Sequence, residues 1–404
     1  MSVLFHLLLA CSTLFTSSSA LPSTSHQPVP SSAPSSSTLS TPLPPSKDPW
    51  YTAPPDYESA RPGTVLRIRP APGNLTSVLA NTSAVYNILY RTTDSHYKPS
   101  WAVTTLLIPS SQSHTTANTS KRADQSKDLL SYAIPYDAAD VDASPSYAFY
   151  SLYEGTFGDL SAALSQGWYV NVPDYEGPLA SFTAGVQSGH ATIDSIRAVL
   201  ASGLGLGDST RSALWGYSGG ALANEWAAEL QVQYAPELTF SGADLGGLTP
   251  NVTSVIESVN GQYWAGLIPL GLLGVASQYP EVMFLATKNI TWAEAIATFM
   301  NQDISDYFVN GEAYVQAQMP LFVYKAIADE ISPIGETDAL VDKYCAVGAN
   351  ILYQRNMVGG HLAEYTNGDA RAFEWLRSVL EGTYTPASGC TIQNVTVNVT
   401  STAL

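Results

Sequence analysis

The chain has 404 residues, 45% of them apolar and only 13% charged, with a formal net charge of -17. That much apolar sequence can bury a large core, as one α/β domain or two smaller ones. The acidic balance disfavours nucleic acid and anionic membranes as partners and says little about fold.

In chain order the first element is a leader. Val3 to Leu9 is an apolar run extended through Cys11 to Phe15, and Ser18-Ser19-Ala20 offers small residues for cleavage. Residues 1–20 therefore read as a secretory signal peptide. The run is too short to span a bilayer, and no later stretch reaches about 18 apolar residues, so a secreted protein without an integral membrane segment is expected. Residues 21–47 are almost wholly Ser, Thr and Pro and read as a disordered or O-glycosylated stalk. The folded domain is expected over 48–404, opening at Asp48-Pro49-Trp50.

Within it, Val85 to Thr92 and Trp101 to Ile108 read as strands, the second rich in β-branched and apolar residues. Pro109 to Asp128 is polar and reads as an exposed loop; its Lys121-Arg122 pair is expected to be solvated. Leu129 to Pro135 is a strand, Asp159 to Gln166 a short helix, and Trp168 to Val172 a strand. Ala191 to Ala201 carries helical spacing at Ile193, Ile196, Val199 and Leu200. Arg211 to Trp215 and Phe240 to Ala243 read as strands on either side of a helix from Gly219 to Gln233. Residues 251–319 break this rhythm with a Gly-rich apolar stretch and then helical segments around Trp292 to Met300, and read as an inserted helical cap. Leu321 to Ile327 returns as a buried strand. A helix over Gly335 to Val347, a strand over Asn350 to Tyr353, an amphipathic helix over Asp369 to Leu380 and an edge strand or tail over Thr391 to Thr400 complete the pattern. Alternating strands and helices predict an α/β fold with a mostly parallel sheet covered on both faces, whose site lies at the carboxyl ends of the strands.

Of three cysteines, Cys11 falls in the leader, leaving Cys345 and Cys390 as an even pair in an oxidising compartment. A bridge between them would stabilise by roughly 4 kcal/mol on the chain-entropy account. Seven N-x-S/T sequons, at Asn74, Asn81, Asn118, Asn251, Asn289, Asn394 and Asn398, suggest surface loops that carry glycans.

The chemistry-bearing motif is Gly216-Tyr217-Ser218-Gly219-Gly220, of the form G-x-S-x-G. It follows an apolar strand and precedes an Ala-rich helical pattern, the setting in which such a turn exposes a serine hydroxyl. The residue after Ser218 would offer its backbone N–H to an oxyanion. A serine at its ordinary pKa needs a base. On the chain order serine, acid, histidine, the base is His361, the single histidine downstream, placed in a Gly-containing loop before the last helix. The acid is one of the adjacent pair Asp329 and Glu330, just past a strand; Asp329 comes sooner, and Glu330 stays open. His190 precedes the serine and reads as structural or substrate-adjacent. No H-E-x-x-H, cysteine cluster or phosphate loop occurs, so neither metal nor nucleotide cofactor is implied.

The segments GWYVNVPDYEGPLASFTAG, SGHATIDSIRA, WGYSGGA and KAIADEISPIGETD resemble the fungal secretory lipase family of the lipase A type, from about Asp48 to Cys390. The resemblance implies an α/β-hydrolase core with an inserted lid. It implies a triad of Ser218, Asp329 and His361, favouring Asp329 over Glu330. It matches the oxyanion donors to Gly219 and Asp137, and it also suggests the Cys345–Cys390 bridge. An ionised Asp137 would repel an oxyanion, so it would have to act through its backbone N–H or as a neutral acid. The expected activity is hydrolysis of carboxylic esters, most of all triacylglycerols, by a monomer acting at a lipid–water interface, with Trp264 to Val275 lining the acyl path. The alternatives are a carboxylesterase or acyltransferase on smaller esters, and a non-catalytic secreted binding protein built on a hydrolase fold.

Overall fold

In the computed structural model, the described residues are 41–110, 127–150, 154–280 and 318–399, all within one unit, residues 39–404. The expectations for the signal, most of the stalk, the Lys121-Arg122 loop and the helix around Trp292 to Met300 lie outside them. Ten strands form one sheet: β1 (Val65–Pro70), β2 (Thr82–Thr93), β3 (Pro99–Pro109), β4 (Asp128–Ala133), β5 (Tyr169–Pro173), β6 (Arg211–Tyr217), β7 (Phe240–Gly246), β8 (Leu321–Ala326), β9 (Ile351–Asn356) and β10 (Cys390–Val395). Their order is β1-β2-β3-β5-β4-β6-β7-β8-β9-β10. The pairs from β5 through β10 are parallel, and β1, β2 and β3 add an antiparallel margin joined to β5.

The helices of two or more turns are α1 (Glu154–Ser165), α2 (Gly185–Ala201), α3 (Gly219–Tyr234), α4 (Val252–Val259), α5 (Leu267–Gln278), α6 (Ile334–Ala346) and α7 (His361–Leu380). Strand alternation sends side chains to two cores. On β6, Leu214 joins one core with Ile193 and Val199 of α2, Ala223 of α3 and Val341 of α6. Ala213, Trp215 and Tyr217 join the other, against Leu160 of α1 and Trp375 and Leu376 of α7. A sheet covered on both faces explains why the central strands read as near-continuous apolar runs. This is the α/β-hydrolase architecture.

Several boundaries differ from the sequence reading, and α1 starts at Glu154 instead of Asp159. α2 starts at Gly185 instead of Ala191, and α7 starts at His361 instead of Asp369, so His361 opens a helix and does not sit in a loop. β1 carries no clear apolar pattern and went unread. At the amino end, Ser46 hydrogen bonds through its N–H and hydroxyl to Asp142 at 2.8 and 2.7 Å, so ordered packing begins before Asp48. Cys345, at the end of α6, is bonded to Cys390 at the start of β10, with Cα atoms 5.8 Å apart. Asn74, Asn81, Asn394 and Asn398 are exposed. Asn251 is half-buried, and its side-chain oxygen caps α4 by accepting from the N–H of Thr253 and Ser254. Among the described residues, no helix is long and apolar enough to cross a membrane.

Candidate active site

Four strand ends converge. Ser218 follows β6, Asp137 follows β4, Asp329 follows β8 and His361 follows β9. All are carboxyl ends of parallel strands, where an α/β sheet leaves an open crevice.

Ser218 sits between β6 and α3 with φ 52° and ψ -119°, a left-handed conformation that a non-glycine residue adopts only under constraint. The constraint comes from both sides. Its N–H is held by the Gly246 carbonyl at 2.9 Å. The turn is so tight that a Cβ at Gly216 would lie 2.4 Å from the Gly220 carbonyl oxygen, and one at Gly220 would lie 1.9 Å from that of Ala133. The two outer glycines of the motif are therefore demanded by contact distance. The result aims the serine side chain out of the turn.

The His361 Nε2 lies 2.9 Å from Ser218 Oγ, and its Nδ1 lies 2.7 Å from Asp329 Oδ2. The imidazole is buried, tilted against the Tyr217 ring at 5.3 Å between centroids. The Tyr217 hydroxyl donates to the His361 carbonyl at 2.5 Å, and the Glu330 carboxylate accepts the His361 backbone N–H at 2.8 Å. Of the two acids left open by sequence, Asp329 thus meets the ring and Glu330 meets the main chain. Asp329 Oδ1 accepts from the N–H of Ile331 and Ser332, at 3.0 and 2.8 Å. Burial alone would raise this carboxyl, but the His361 hydrogen bond and the neighbouring Lys325 charge hold it below the usual carboxylate range. Lys325 was not assigned a place in the site from sequence, and Glu330 was weighed only as the acid, not as a main-chain acceptor. The visible signal for the first is a lysine inside an otherwise apolar strand, Leu321 to Ala326.

Gly219 is the first residue of α3, so its N–H belongs to the helix-terminal set with no intrahelical acceptor. The Asp137 carboxyl crowds it: Oδ1 would lie 2.0 Å from a Cβ built on Gly219. Asp137 has φ 42°, and burial raises its carboxyl from 3.8 to about 6, with the His361 charge opposing. Glu176, also fully buried, is pushed well above its ordinary range by burial and then by Asp137. The sign for stability follows. The unfolded chain releases the Asp137 proton near 3.8 and the folded chain near 6, so the folded state loses stability as pH rises through that window. Asp137→Asn is expected to gain up to about 3 kcal/mol over wild type at pH 8 relative to pH 4. Urea unfolding of both proteins at the two pH values measures this; an equal difference at each would contradict it.

Ser218, Gly219 and Asp137 form the floor of a largely apolar cavity. Its walls are mostly apolar and come largely from the segment after β7, with Val255 and Ile256 of α4 and Leu267, Ile268 and Gly271 of α5, completed by Phe182, Thr183 and Leu222, and with Ile331 beside Asp329. The stretch expected along the acyl path is therefore split, since Leu267, Ile268 and Gly271 line the cavity whereas Leu273 is exposed. His190 is buried in α2 between the Tyr97 and Tyr234 rings and does not line the cavity.

The fold is that of an α/β-hydrolase, and its relatives make it a carboxylic ester hydrolase. A secretory lipase family profile matches residues 153–305 and 284–388. The chain belongs to the secretory lipase family. Among curated relatives, it is 52% identical to the trichothecene C-3 esterase of Fusarium sporotrichioides over 405 residues, covering 90% of each chain. It is 37% identical to lipase A of Arthroderma benhamiae over 399 residues, covering 86% of this chain and 82% of that one. Among solved structures, Candida antarctica lipase A matches with a TM-score of 0.72 at 27% identity, covering 88% of this chain and 90% of the other.

Proposed function

We propose that this protein is a secreted serine esterase that works through an acyl-enzyme and cleaves an ester carried by a trichothecene. The observation carrying the mechanism is the unbroken hydrogen-bonded series from Ser218 Oγ through His361 to Asp329, opening on an apolar cavity. Ser218 Oγ attacks the ester carbonyl carbon while His361 Nε2 takes its proton. Asp329 holds the ring by its Nδ1–H and steadies the imidazolium. The oxyanion forms beside the N–H of Gly219 and Asp137, an interaction worth about 3 kcal/mol per donor. As the C–O bond breaks, His361 returns the proton to the leaving alcohol. Water, deprotonated by His361, then attacks the acyl-enzyme, releasing the acid and restoring Ser218. Asp137 serves through its main chain, since its carboxyl ionises near neutrality and a carboxylate would repel the oxyanion.

The substrate class rests on similarity to the Fusarium sporotrichioides esterase, which spans 90% of both chains. The cavity's lining, with Val255, Ile256, Leu267 and Ile268 facing Ser218, suits an apolar ligand. The family profile and the apolar leader together support secretion. A second reading, a triacylglycerol lipase, is favoured by the exposed Tyr263 and Leu273 of the cap, apolar side chains able to meet a lipid surface.

Rates on a trichothecene esterified at C-3, an emulsified long-chain triacylglycerol and a dissolved short-chain ester separate the two. The expected result is a kcat/KM at least about tenfold higher on the trichothecene ester than on the dissolved ester, with little hydrolysis of the emulsion. A rate that climbs sharply once the triacylglycerol forms droplets, with none on the trichothecene, would establish the lipase reading instead.

A further inference from the structure

Lys325 has no exposed surface, in a strand whose every residue is buried. Its Nζ donates to the Leu248 carbonyl at 2.6 Å and lies 3.2 Å from Asp329 Oδ2. That oxygen also receives His361 Nδ1 at 2.7 Å. Burying an ammonium is unfavourable, and an apolar side chain of similar length would fill the same space without that cost. A lysine bonded to the acid of the site is therefore poorly explained by packing.

We propose that Lys325 is a positioning residue for the ester hydrolysis assigned above: fixed between the Leu248 carbonyl and Asp329 Oδ2, its charge orients that carboxylate, draws part of its negative charge away from His361, and so sets the acid limit of activity. The inference rests on the reading of Ser218, His361 and Asp329 as the reacting series.

The acceptor sites of Asp329 are fully used. Oδ1 takes two backbone N–H groups, and Oδ2 is shared by an imidazole and an ammonium. A carboxylate that also faces a fixed cation stabilises an imidazolium less. The other groups around His361 are Asp137 across the cavity floor, Glu330 at its N–H, the Tyr217 ring, and Glu364 one turn on, which is paired with Arg371 at 2.9 Å. Lys325 also feels Asp338 of α6, which is paired with Arg355 at 3.1 Å. Of these, Lys325 is the cation in contact with Asp329. Burial presses its ammonium below the ordinary lysine range, and Asp329 opposes that.

Leu248 supplies a built-in control. Its carbonyl also accepts from the hydroxyls of Ser332 and Thr337, at 3.3 and 3.2 Å. Thr337→Val removes a neutral donor from the same oxygen and leaves the charge on Asp329.

The test measures kcat and KM from pH 4 to 9 on a dissolved short-chain ester for wild type, Lys325→Met, Lys325→Gln, Thr337→Val and Ser218→Ala. Both Lys325 variants are expected to move the acid limb of kcat/KM upward by about one unit, lower the plateau kcat about tenfold, and hold KM within about twofold, with the limb unmoved in Thr337→Val. An unmoved limb in a folded Lys325 variant overturns the proposal while leaving the Ser218 reading intact, provided Ser218→Ala is inactive. Unfolding of both Lys325 variants beside a folded Thr337→Val reduces the lysine to a structural pair and overturns it too. Full activity in Ser218→Ala would remove the underlying reading and this inference with it.

Discussion

Ser218→Ala is expected to lower kcat on a dissolved ester by about 10⁵-fold or more, with KM within a few-fold of wild type. The substitution deletes the atom that forms the covalent bond and disturbs little else. The strained turn is fixed by the Gly246 carbonyl and by the contacts at Gly216 and Gly220, none of which involves Oγ. Alanine also meets the positive φ at no greater backbone penalty than serine. His361→Ala should fall by a similar factor, and the double variant hardly further, because base and nucleophile act as one unit. Any residual rate over buffer would come from the cavity and the oxyanion donors alone. Steady-state rates together with intact-mass labelling by a fluorophosphonate check this. Wild type should gain one adduct and Ser218→Ala none. A wild-type protein that takes no label would point to a non-catalytic binding protein on the same fold.

That prediction was available from sequence because the elbow is local. An apolar strand, two glycines in contact and an Ala-rich helix lie within 23 consecutive residues, Ser212 to Tyr234, and each follows from short-range sterics. The order of sheet and helices was legible for the same reason, since each element carries its own period. Elements whose sequence is shaped by distant contacts were misread. A Cβ at Gly189 would lie 2.8 Å from the Trp226 backbone of α3, and one at Gly368 would lie 2.1 Å from the Tyr324 ring of β8. These glycines look like helix breakers, yet they let helices α2 and α7 press close to their neighbours, so both helices begin earlier than propensity suggests. In β1, Arg69 interrupts the apolar pattern because it serves the amino-terminal turn, paired with Asp48 at 2.6 Å and lying 4.1 Å over the Trp50 ring. The contributions of Lys325 and Glu330 were hidden for a related reason: each acts on a partner at least four residues away, and only the folded chain shows which atom it reaches.

The sharpest such case is the adjacent pair Asp329 and Glu330, and it yields the second large effect. Asp329→Asn is expected to reduce kcat/KM by about 10⁴-fold, whereas Glu330→Gln should cost less than about tenfold. Asp329 accepts the Nδ1–H of His361, which leaves the Nε2 lone pair facing Ser218. An asparagine amide can present an N–H to Nδ1, placing the imidazole proton on Nε2 and leaving Ser218 without a base. The backbone N–H groups of Ile331 and Ser332 would still hold the amide oxygen and keep the loop in place, while the amide nitrogen would face the buried Lys325 ammonium, so some stability is lost beside the much larger loss of chemistry. Glutamine at 330 keeps an oxygen for the His361 main-chain N–H, so the helix start survives with a weaker, neutral acceptor. Because the two side chains are consecutive, general effects of the loop are nearly shared between the variants, and the contrast isolates the ring contact. Rates at the wild-type plateau, with thermal melts to verify folding, measure it. A deep loss in Glu330→Gln beside a mild one in Asp329→Asn would mean that the glutamate swings onto the imidazole in solution and is the partner that orients the base.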